Sequence, residues 1–121
     1  MVQLRAESGG NGLQDLILSL QKNRKDLAEA IKILKKRGIA KAEAEKNYRI
    51  ELQKEMLRLK ADGVPVTGMS DLARGNELVA NLKMKRDIAE TLYDTAKQQI
   101  YYLKIEIGII ENMMAAERKG E

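Results

Sequence analysis

From Leu13 onward the apolar residues return at intervals of three and four: Leu13, Leu16 and Ile17, Leu20, Leu27, Ile31 and Leu34, then Tyr48, Leu52 and Leu59. That spacing predicts one face of a long α-helix, because residues three and four apart lie above one another on a 3.6-residue turn. The stripe thins over RGIAKAEAEK (37–46), where Ile39 and small Ala side chains are all that is apolar. Gly38 within it costs about 1 kcal/mol against Ala in a helix interior, enough to weaken the helix without ending it, and marks a place for a kink or a close contact. A second stripe is cleaner. Stepping alternately three and four from Val79 gives Leu82, Arg86, Ala89, Tyr93, Ala96, Ile100, Leu103, Ile107, Ile110 and Met114, with Arg86 alone out of character. Such a heptad seam predicts a coiled-coil-like helix. Between the stripes, ADGVPVTGMSD carries Gly63, Pro65 and Gly68, and Pro65 pushes Val64 out of the helical region, so the chain turns there. The second helix is expected to begin at Ser70 or Asp71, or to restart near Asn76 after DLARG.

These elements predict an all-α fold: a long antiparallel helical hairpin, coiled-coil-like, completing a bundle by oligomerisation. Its parts are a flexible segment over 1–12, ending in SGGNG, and a single hairpin domain over 13–118, with helices at 13–61 and 71–118 joined by a turn at 62–70. Helices of nearly 50 residues would be roughly 70 Å long at about 1.5 Å per residue. The run Leu103, Ile105, Ile107, Ile109 also has the period of a β-strand and is rich in β-branched residues. It lies inside an unbroken heptad with no turn signal and no second strand to pair with, so helix is the reading preferred.

Two helices bury one stripe each, yet apolar residues near the end of the second cover more than one face. Ile100, Leu103, Ile107, Ile110, Met113 and Met114 are therefore the expected oligomer interface, with a homodimer the economical solution. At the turn, Val64, Val66 and Met69 are more apolar than a connection requires and form a candidate docking tip.

Composition narrows the chemistry. The chain has four Tyr and no Phe, Trp, His or Cys. Leu, Ile, Ala and Met must do the packing, and the usual general base, thiolate nucleophile and soft metal ligands are missing. Acidic pairs such as Glu51/Glu55 and Glu43/Glu45 alternate with Lys and Arg as solvated ion pairs do. No catalytic, metal or cofactor-binding residue is expected, and no enzyme. No segment approaches the roughly 18 uncharged residues of a membrane span, so a soluble protein without a membrane partner is expected.

The net charge of +4 is modest, but helix 1 concentrates Lys22, Arg24, Lys25, Lys32, Lys35, Lys36, Arg37 and Lys41 against Asp26 and Glu29. These eight form a candidate face for nucleic acid or another anion, although no stacking aromatics accompany them. Arg24 and Arg86 occupy matching gaps in the two stripes, as register devices or ion-pair partners would.

The stretches AEAEKNYRIELQKEMLRLKADGVPVTGMSDLARG and KRDIAETLY resemble small helical proteins of temperate phages of Gram-positive bacteria, from early regions near recombination and replication genes. The resemblance implies a bacterial host cytoplasm and a protein that binds an unidentified protein or nucleic-acid partner, as an accessory in DNA metabolism or as an inhibitor of a host-defence component. It assigns no functional residue.

Overall fold

The computed structural model describes residues 12–120. Three helices follow one another: α1 Gly12–Ala61, α2 Met69–Arg74 and α3 Glu77–Lys119. The long α1 and α3 pack against each other as the all-α hairpin the two stripes predict. Residues 103–109 are helical, within α3. Of the expected N-terminal segment, residues 1–11 lie outside the described residues, and Gly12 already belongs to α1.

The local chemistry of the turn explains its shape. α1 ends in a Schellman motif: Gly63, at φ 84°, donates from its N–H to the Lys60 carbonyl at 3.1 Å, and Val64 donates to Leu59 at 3.0 Å. Pro65 follows, where it cannot extend the helix. The single helix expected from Asp71 is instead two. α2 runs from Met69, and α3 restarts after Gly75 with Asn76 as its cap, the Val79 N–H donating to Asn76 Oδ1 at 3.2 Å. The restart near Asn76 is the one used, whereas Ser70 and Asp71 do not cap: α2 begins a residue earlier, behind Gly68 in the left-handed region and without a side-chain cap.

The chain divides into two compact units, one of residues 12–34 with 95–120 and one of Lys35–Asp94. In the first, Leu16, Ile110 and Met114 form a buried cluster, flanked by Leu13, Ile17 and Leu20. In the second, Met69, Ala73, Val79 and Tyr48 are buried, so α2 contributes two of its six residues to that core.

Every member of the α3 heptad faces inward. Val79, Ala96, Leu103, Ile110 and Met114 are buried, and Leu82, Arg86, Ala89, Tyr93, Ile100 and Ile107 are half-buried. On α1 the seam departs from the expected stripe at three places. Ile31 is 52% exposed and Ala30 is buried in its stead. Asn23, not Arg24, fills the gap between Leu20 and Leu27, and is 1% exposed. Leading into the thinned stretch the covered positions are Ala30, Leu34, Gly38, Lys41 and Glu45, so the three-and-four alternation takes two consecutive steps of four, from Ala30 to Leu34 to Gly38. Such a shift reconciles a straight 3.6-residue helix with a 3.5-residue seam.

Candidate interaction surfaces

In the unit of Lys35–Asp94 the seam is polar at its middle, and two aromatic rings organise it. Tyr93 projects from α3 onto α1 where Gly38 leaves room: a Cβ at Gly38 would lie 3.4 Å from Tyr93 Cε1. Lys41 Nζ lies 4.8 Å from the centre of the same ring. Arg86 stands over Tyr48, its guanidinium carbon 4.5 Å from the ring centre, with Glu45 at 3.6 Å and Asp87 at 3.1 Å. Partial burial works against the charge of Arg86, but the hydrogen bond to Asp87 and the fields of Asp87 and Glu45 outweigh it and hold the guanidinium more firmly protonated than usual. Asp87 is held below the ordinary carboxylate range by hydrogen bonds from Lys83 and Arg86. Gly38, Lys41, Glu45, Arg86 and Tyr93 line an open groove of about 490 Å³. Arg86 is thus the ion-paired seam residue its position suggested.

The eight cations of α1 do not make one face. Lys41 is turned into the seam against Tyr93, Lys22 is paired with Asp26 at 2.8 Å, Lys32 with Glu29 at 3.3 Å, and Arg24 approaches Glu111 at 3.8 Å. Lys25, Lys35, Lys36 and Arg37 are exposed and without an ion pair among the described residues. Consecutive residues diverge by about 100° around a helix, so Lys35, Lys36 and Arg37 point three ways.

At the turn the three apolar candidates part company. Val66 is 84% exposed, Val64 half-buried, and Met69 is enclosed in the core of its unit. Of the expected oligomer residues, Leu103, Ile110 and Met114 are covered by the chain itself, Ile100 and Ile107 are half-buried, and Met113 is exposed. No protein-family model, curated protein or solved structure matches the chain.

Besides Met113, the C-terminal half of α3 exposes a different set: Tyr101, Tyr102, Ile105 and Ile109 all lie outward, the two rings at 60% exposure and 6.2 Å apart, while its first half exposes Leu78, Met84, Ile88 and Leu92. The sequence pattern hints at it through its surplus of apolar residues, but a search for the best seam finds the inner one and absorbs the surplus into it. Asn23 escaped for the opposite reason, since a polar residue on an apolar stripe reads as a gap. The partners of Arg86 and Tyr93 were within reach: Glu45 and Gly38 stand about as far before Pro65 as Arg86 and Tyr93 stand after it, as a hairpin requires.

Among the described residues no group of acidic side chains could hold a metal ion, and no helix is long and apolar enough to cross a membrane.

Proposed function

We propose that this chain is a non-enzymatic helical interaction protein that self-associates and, so assembled, binds another macromolecule. The observation that carries this reading is the outward face of α3 in the unit of residues 12–34 and 95–120. A solvent-facing helix surface is normally the most charged part of a hairpin. Here it presents Tyr101, Tyr102, Ile105 and Ile109 at 42% exposure or more. Exposed large apolar side chains in one contiguous group mark interaction sites. The resemblance to early-region phage proteins agrees with a binding role in nucleic-acid metabolism.

Light scattering over a concentration series tests the first step: a mass of twice 13.6 kDa or more at micromolar concentration is expected, and 13.6 kDa throughout would overturn it. A nucleic-acid role rests on Lys35, Lys36 and Arg37, exposed and without an ion pair among the described residues but spread around α1 rather than on one face. It predicts a gel shift that weakens steeply with salt and disappears when the three become Glu. No shift at low salt would eliminate it.

A further inference from the structure

The self-association proposed above leaves open which surface meets which. We infer that the outer face of α3 between Gln98 and Ala115 seats the same face of a second copy, antiparallel, about a two-fold axis between Ile105 and Gly108.

The outer face has its own heptad spacing. Gln98, Tyr101, Ile105, Gly108, Asn112 and Ala115 follow one another at steps of three and four, on the side of α3 away from the inner seam, and none is charged. The neighbouring row on one flank, from Thr95 through Tyr102 and Ile109 to Ala116, is uncharged as well. Charges appear beyond, at Lys97, Lys104 and Glu111 on the other flank and at Glu106 outside the Tyr102 row. A surface without charge over three heptads does not suit a nucleic-acid backbone. It suits an apolar helix with the same spacing, and this chain carries one.

Size complementarity selects the antiparallel arrangement. About the stated axis, Ile105 meets the other copy's Gly108, Tyr101 its Asn112 and Gln98 its Ala115, a larger side chain against a smaller at every level. On one flank Tyr102 meets Ile109, and on the other Lys104 meets Glu111, opposite in charge. A parallel pairing would instead set Tyr101 against Tyr101 and Gly108 against Gly108, with a gap at the centre, and would face Lys104 with Ile109 rather than with Glu111.

Gly108 has no other explanation in the fold. Mid-helix Gly is unfavourable relative to Ala, and a Cβ placed there meets no heavy atom within 4 Å. Its missing side chain serves nothing inside the chain but gives the backbone of a neighbouring helix close approach.

The chain has no Cys, so introduced thiols report cleanly. Gln98→Cys and Ala115→Cys variants, purified separately, are mixed and mildly oxidised. A disulfide-linked dimer is expected from the mixture and from neither variant alone. Cross-linking of each variant with itself would show a parallel pairing and overturn the proposal. A dimeric mass with no cross-link in any combination would also overturn it while leaving self-association standing; a monomeric mass would remove both. In parallel, Ile105→Arg should yield a monomer with unchanged helical circular dichroism, because the site is exposed in the single chain. Gly108→Ala should raise the dimer Kd about tenfold or more by crowding the axis. Dimers of undiminished affinity in either variant would count against this face.

Discussion

Asn23 offers the sharpest test of the packing. Its side chain is 1% exposed on the inner seam, and neither Oδ1 nor Nδ2 has a hydrogen-bond partner among the described residues. A buried polar group left unpaired costs about 1–3 kcal/mol, the desolvation it suffers without compensation. Leucine occupies similar space at such a seam position and adds apolar area in place of the amide. Gain and removal together, less some crowding from the added volume, give an expected stabilisation of about 2 kcal/mol for Asn23→Leu. For a chain of this length, that raises Tm by about 8 °C. In urea the midpoint should rise with no change in m, since the area exposed on unfolding is nearly the same. Asn23→Asp should do the reverse at neutral pH, by more than about 3 kcal/mol, because a buried unpaired carboxylate is far costlier than an amide. A lower midpoint for Asn23→Leu would mean that the amide is satisfied and that this account of the seam is wrong.

Three further outcomes follow from the structure. Gly38→Ala should stabilise by about 0.5–1 kcal/mol, since the new methyl meets Tyr93 at ordinary contact distance and helix propensity improves, whereas Gly38→Leu should destabilise by displacing the ring; thermal melts of the pair decide it. Arg86→Lys keeps the charge but not the planar stack on Tyr48, and should lose about 1 kcal/mol in chemical denaturation; full retention would show that the stack contributes nothing. Glu55, through its hydrogen bond from Arg58, and Asp87, through those from Lys83 and Arg86, titrate below the ordinary carboxylate range, so they contribute stability above the unfolded pKa of about 4 that is lost as pH falls through their lower folded values. Melting temperature should therefore decline below about pH 4.5, and less steeply for a Glu55→Gln, Asp87→Asn double variant or in high salt, which screens Asp87 the more because it is exposed and Glu55 only half-buried.

The sequence was most legible where one physical demand acts alone. The α3 heptad is such a case, because every position but Arg86 need only be apolar, and all eleven face inward as their spacing predicts. The end of α1 was legible too, as Gly63 and Pro65 have few other uses. Around Gly38 and Lys41 the demands compete. Tyr93 needs room and a cation more than it needs an apolar neighbour, so the seam there is built of residues that read as surface. The same competition misplaced Lys41 among the solvent-facing cations. The outer face of α3 was hidden by its likeness to the inner one, since two apolar seams on one helix look in sequence like one broad stripe.

The most direct test of that second seam is sedimentation equilibrium of the native chain beside Ile105→Arg under the same conditions. The native chain should fit twice the 13.6 kDa monomer mass and the variant the monomer mass, with equal helical content. Two identical masses, whether monomeric or dimeric, would contradict the assignment of the outer α3 face as the surface on which two copies meet.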